Sequence, residues 1–150
     1  MFLAFSLTVA ATCFALMLVG GALYEVLVVD PFWPKRPQLI QPDRGGISRR
    51  RFWMPVHAVF ELSVIFALIA AWRVPVVRSW MWVALISHAV GRIWSFSDFI
   101  PKAIAFERAD PSSITEASAR NWTHRSVFRL PLEMVTSGAM IAAFTRLARM

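Results

Sequence analysis

Cysteine is nearly absent from this chain of 150 residues: Cys13 is the only one. An internal disulfide, a thiolate cluster and a paired-cysteine redox centre are therefore all excluded, as is a haem attached through Cys-x-x-Cys-His. Charge is also scarce. Only 17% of residues are charged against 57% hydrophobic, too apolar for an ordinary soluble domain of this length. The soft-metal motifs are missing, and so is the Glu-x-x-His pair of soluble di-iron bundles. Nor is there a basic strand or helix interleaved with exposed aromatics, so the net charge of +7 does not point to nucleic acid. Basic residues beside apolar runs instead suit anionic lipid headgroups.

What the chain does have is four apolar runs, at about Phe2–Val29, Phe52–Trp72, Trp80–Ile100 and Val127–Ala148. Each approaches the roughly 20 residues that cross hydrocarbon as a helix. The expectation is an all-α fold, a single polytopic up-down bundle of four transmembrane helices over residues 1–150. The first run has no basic flank and no clear small-residue cleavage pattern, so it reads as a span rather than a removable leader. Residues 73–78, with Pro75, form a connection tight enough to make the second and third spans antiparallel neighbours. Residues 30–51 carry Pro31, Pro34, Pro37, Pro42 and Gly45-Gly46, which predicts an irregular loop. Between 101 and 126, Ser113 followed by Glu116 has capping-box spacing for a short surface helix.

The two long connections hold Lys35, Arg36, Arg44, Arg49, Arg50, Arg51, Lys102, Arg108, Arg120 and Arg125, whereas the opposite side has Arg73, Arg78, Arg146 and Arg149. The asymmetry puts the long connections in the cytoplasm and both termini outside it, with a bacterial inner membrane as the expected setting. Tyr24 reads as an interfacial anchor, as do Trp33, Trp53, Trp80, Trp82 and Trp122; Asp98 reads as a membrane-edge acid and His124 as a loop residue.

Within the apolar runs stand groups that lipid does not tolerate: Glu25, His57, Glu61, His88, Arg92 and Glu133. His57 and Glu61 are four residues apart and share a face with Trp53. His88, Arg92 and Ser95 share another. In an up-down bundle His88 falls near mid-membrane and the others, with Arg129, in the cytoplasmic half, and small residues (Gly20, Gly21, Ala58, Ala89, Gly91, Ser137 and Gly138) would let the helices approach. A shared polar cavity is the expectation. A purely structural network, in which Arg92 and Arg129 neutralise Glu61 and Glu133, is the simpler alternative.

Three chemistries fit such a cavity. Imidazoles of His57 and His88 with carboxylates of Glu25, Glu61 and Glu133 form an N/O ligand set suited to iron, manganese or zinc. His57 could instead ligate a haem b iron, with aromatics and arginines around the porphyrin. Without either cofactor, Glu61 or Glu133 could act as general acid or base while Arg92 stabilises an oxyanion, giving an isomerase, hydrolase or cyclase. A scaffold or transporter subunit is the non-enzymatic alternative, but polarity confined to one half of the bilayer disfavours a pore. A homo-oligomer could add further surface.

Gly21-Ala-Leu-Tyr24-Glu25, the following Pro31 and Trp33, His57 with Glu61, and Asn121-Trp122 followed by Arg129 and Glu133 carry a resemblance over most of the chain. The resemblance is to small four-span membrane proteins related to fungal anthrone oxygenases. It implies an oxidoreductase acting on lipophilic small molecules such as aromatic polyketides. In topology, in the place of His57 and loosely over Gly91 to Pro101, the chain also resembles the styrene oxide isomerase type of haem membrane protein. That resemblance implies ferric haem as a Lewis acid that rearranges epoxides, with His57 as the iron ligand.

Overall fold

The computed structural model describes residues 2–150, which form an all-α protein with no strand among the described residues. Four helices are long: α1 (Phe2–Tyr24), α2 (Arg50–Ala70), α3 (Pro75–Trp94) and α6 (Leu130–Ala148). Two shorter ones, α4 (Ile100–Arg108) and α5 (Glu116–Ser126), lie in the connection between α3 and α6. By length and composition three helical stretches can cross a membrane: Phe2–Val29, Arg50–Ala70 and Glu116–Ala148. α3 is not among them, because Arg78, Ser79, Ser87, His88 and Arg92 dilute its apolar residues.

Apolar residues at helical spacing bury two clusters along the long helices. Ala11, Ala15 and Leu18 of α1 pack with Val56, Phe60 and Val64 of α2 and with Ala139 and Met140 of α6. Nearer the tight turn, Ala67, Leu68 and Ala71 meet Val77, Met81, Ala143 and Leu147. Hydroxyls inside these contacts bond to backbone carbonyls rather than staying unpaired, as an apolar surrounding requires. Ser137 Oγ donates to Ala15 O at 2.8 Å and Ser87 Oγ to Leu132 O at 2.9 Å, stitching α6 to α1 and to α3.

α1 packs along α2 and α6, and α6 packs along α3, whereas α2 and α3 touch over only a short stretch. The tight turn does make α2 and α3 sequential neighbours, and Pro75 opens α3 at its first turn, earlier than the expected start at Trp80. Their main partners are nevertheless other helices. A seam is left between them.

The long connections are more ordered than their proline content suggests. Residues 33–44 make three 3₁₀ turns, each with a proline in its first two positions, and Gly45 closes the last in the left-handed region at φ 82°. With α4 and α5 they build a cap around a third cluster of Val29, Trp33, Ile40, Phe99, Ala119 and Trp122. The expected capping box is displaced: Asp110, not Ser113, caps a 3₁₀ turn at Pro111–Ser113, and Thr115 caps α5 by accepting from Ser118 N at 3.2 Å. One face of α5 is buried, so it is no free surface helix.

Trp33 and Trp122 also depart from their expected place at a lipid interface. Trp33 is fully buried and Trp122 nearly so, their rings 5.8 Å apart. Trp33 donates to Asp30 Oδ1 at 3.0 Å and Trp122 to Phe99 O at 3.3 Å. They are the core of the cap because an indole whose N–H finds an acceptor is buried at little cost. Trp80 and Trp82 are exposed. Of the small residues expected at helix contacts, Gly21 abuts Phe52 and Trp53 and Gly91 faces Leu132, but Gly20 and Gly138 have nothing within 4 Å, and Ala58 and Ala89 are exposed.

Candidate functional site

His57, Glu61 and His88 come together across the seam. One ligand atom from each lies within 4.8 Å of the other two. The four-residue step along α2 puts His57 and Glu61 on one face, and α3 brings His88 opposite them. Trp53, one turn before His57, stacks on its ring with centroids 5.6 Å apart. The His57 and His88 rings are 5.3 Å apart, and Phe60 meets His88 edge-on at 4.6 Å. Aromatic contact on several sides thus fixes both imidazoles.

The polar contacts are unequally shared. Glu61 Oε1 accepts from Arg92 Nε at 2.9 Å and lies 3.2 Å from His88 Nε2. The His88 contact joins an imidazole nitrogen to a carboxylate oxygen that also receives the Arg92 N–H. Nδ1 of His88 and Nδ1 of His57 are both buried without a hydrogen-bond partner. Two imidazoles and a carboxylate, with one ligand atom of each within 4.8 Å of the others, make a hard-to-borderline N/O ligand set. Burying the two Nδ1 atoms unpaired is unfavourable.

Arg92, on the same face as His88, is thus a partner of Glu61; its guanidinium also lies over the Phe96 ring at 4.4 Å. Glu25 and Glu133 stand apart from the three. Glu25 opens a π-helical turn, Glu25–Val29, at the end of α1, and it accepts from Trp53 Nε1 at 3.2 Å with Arg49 at 3.8 Å. Glu25 therefore touches the cluster only through Trp53. Glu133 lies in the first turn of α6, and its Oε2 is buried without a partner. Arg129 does not pair with it: its Nη1 donates to Ser95 Oγ at 3.0 Å and its guanidinium lies over Phe99 at 4.4 Å. Of the structural pairing expected for the arginines, Arg92 with Glu61 is present and Arg129 with Glu133 is not.

Sequence reasoning missed the layer beneath the cap. Arg49, with only 7% of its side chain accessible, lies over Trp122 at 5.2 Å and Trp33 at 5.9 Å, and bridges Glu25 at 3.8 Å to Glu107 at 4.0 Å. Asp30 is buried there too. Burial pushes its carboxyl up from 3.8 to about 6, against the Trp33 indole N–H, which holds it down; Glu25 raises it further, and Arg49 and Arg129 lower it. Asp98, expected at the membrane edge, pairs with Lys102 and Arg125, and His124 is an exposed residue of α5 rather than of a loop. A surface concavity of about 550 Å³ lies away from all of this, between Lys35, Gln38, Arg44 and Asp110 on the cap.

Set against protein-family models, curated proteins and solved structures, the chain matches none of them.

Proposed function

We propose that the chain is a membrane-embedded, metal-dependent oxygenase or related oxidoreductase acting on a hydrophobic small molecule. In this reading all four long helices span, α3 included, as one up-down bundle with the cap in the cytoplasm and both termini outside. The basic cap residues support that orientation. α3 is the polar span because it carries His88 and Arg92, and intramembrane ionisable groups mark functional sites.

The observation that carries the reading is the meeting of His57, Glu61 and His88, with one ligand atom of each within 4.8 Å of the other two. Two histidines and one carboxylate are the ligand set of non-haem iron(II) oxygenases that keep coordination positions open. Iron held there would supply one-electron redox chemistry and open positions for dioxygen and substrate. The chain's own residues do the rest. Arg92 holds Glu61 Oε1 and so sets the direction of Oε2. Trp53 and Phe60 fix the imidazole planes, and the apolar clusters above and below keep bulk water out. Glu25 and Glu133 serve as outer carboxylates, Glu25 through Trp53 and Glu133 through its unpartnered oxygen.

Metal analysis of protein purified without chelator, with dioxygen uptake on lipophilic phenols and ketones, tests the proposal. One equivalent of iron or another divalent metal, lost in His57→Ala and His88→Ala, supports it. No stoichiometric metal withdraws it. A Soret band that disappears in His57→Ala would place haem b at His57 instead.

A further inference from the structure

Glu61 stands near the middle of α2, about 16 Å along the helix from Arg50 at 1.5 Å per residue. Yet 37% of its side chain is accessible, against 3% for its partner His88. The cause is the packing: α2 leans on α1 and α3 leans on α6, which leaves Glu61 at the edge of the seam. Helical periodicity sets Ala58 and Ile65 on the outer side of Glu61, and Ala89 and Phe96 on the outer side of Arg92. All four are exposed. Two alanines face outward at the level where larger side chains would close the gap.

The polar groups at this mouth are incompletely used. Arg92 donates through Nε, and among the described residues its terminal nitrogens have no acceptor; Glu61 Oε2 likewise has no donor. An acceptor-seeking guanidinium therefore sits beside a donor-seeking carboxylate oxygen, in a pair that is neutral as a whole. In hydrocarbon such half-accessible groups are costly unless something completes them.

On the membrane-enzyme reading above, we propose that the α2–α3 seam is a lateral doorway through which a lipid-dissolved substrate reaches His57, Glu61 and His88 directly from the bilayer. The charge pattern defines the ligand class. An anionic head would meet Glu61 and a cationic one Arg92, whereas a neutral group that both donates and accepts, such as a hydroxyl, satisfies Oε2 and a terminal N–H together. The apolar remainder of the molecule lies between Ala58 and Ala89, continuous with lipid. Arg92 acts here as a positioning residue at the entrance.

The experiment is photolabelling in phosphatidylcholine nanodiscs with a diazirine-bearing hexadecanol, the adducts being mapped by peptide mass spectrometry. No metal is added, so the readout does not depend on turnover. The doorway requires adducts concentrated around Ala58, Glu61, Ala89 and Arg92, displaced by unlabelled hexadecanol. Labelling should fall by about tenfold or more in Ala89→Trp and Ala58→Trp, the loss of roughly 1.4 kcal/mol of binding, and stay unchanged in Leu16→Trp on exposed α1. Adducts spread equally over exposed α1 positions would overturn it, as would equal rim labelling by a diazirine alkane without the hydroxyl. A rim shielded from label while chain-to-chain cross-links form there would also overturn it, and would assign the seam to a second copy of this chain. Labelled rim with no bound metal retains the doorway and withdraws the metal reading; bound metal with an unlabelled rim does the reverse.

Discussion

Across the α2–α3 seam, Arg92 Nε donates to Glu61 Oε1 at 2.9 Å, and the same oxygen is 3.2 Å from His88 Nε2. One carboxylate oxygen therefore holds two groups of α3 where the helices otherwise touch little. Removing one partner leaves the other poorly solvated, so Arg92→Met should cost more stability than the double change with Glu61→Gln. A double-mutant cycle in detergent should return a coupling of about 1 kcal/mol, since both side chains are partly accessible. Additive single changes would mean that the pair does not join the helices.

Asp30 gives the fold a pH dependence with a definite sign. Its carboxyl is held near 6 in the folded protein, above the ordinary 3.8, chiefly because it is buried. The folded state therefore binds the proton more tightly than the unfolded state. The resulting stability is full below about pH 4 and is lost as pH rises through about 6, up to about 3 kcal/mol in all. Asp30→Asn keeps an acceptor for the Trp33 indole and removes the ionisation. Denaturation midpoints between pH 4 and 7 should fall in the wild type, with that component of the slope absent in the variant.

The glycines separate into those that touch something and those that do not. A Cβ on Gly46 would stand 2.1 Å from Gln38 O, a backbone atom that cannot step aside, so Gly46→Ala should destabilise by about 2 kcal/mol or more. Gly20 and Gly138 lie within helices with nothing within 4 Å. Alanine at either should raise stability by up to about 1 kcal/mol, read from thermal unfolding.

Arg49 ties the cap to the long helices through Glu25, Glu107, Trp33 and Trp122. Arg49→Ala leaves the buried Glu107 with Arg50 alone, at 2.9 Å, and should cost about 3 kcal/mol. Lysine should restore little, because a point charge cannot both stack on indole and reach two carboxylates. Limited proteolysis of residues 101–115 should accelerate in both variants.

The all-α class was legible because the apolar runs have helical length, and the central cluster because His57 and Glu61 are one turn apart inside such a run. Glu133 was harder to place for a physical reason. A 3₁₀ turn, Val127–Arg129, precedes it and changes the rotation per residue, so counting at 3.6 per turn misdirects the side chains beyond it. Arg125 accordingly pairs with Asp98 on the far side of that 3₁₀ turn from Glu133. Glu25 is drawn away from the cluster by Trp53 and Arg49, contacts that form only on folding. Trp33 and Trp122 were misplaced because an aromatic in a polar, proline-rich connection looks the same in sequence whether it faces lipid or closes a cap. The buried acceptors Asp30 Oδ1 and Phe99 O decide between them, and those emerge only on folding.

Cobalt(II) titration of the detergent-solubilised protein, followed by visible absorption, tests the ligand set most directly. The account requires visible d–d bands that saturate at one equivalent and are abolished by His57→Ala and by His88→Ala, while Glu25→Gln leaves them in place. Absence of such bands, or bands that persist in both histidine variants, would contradict it.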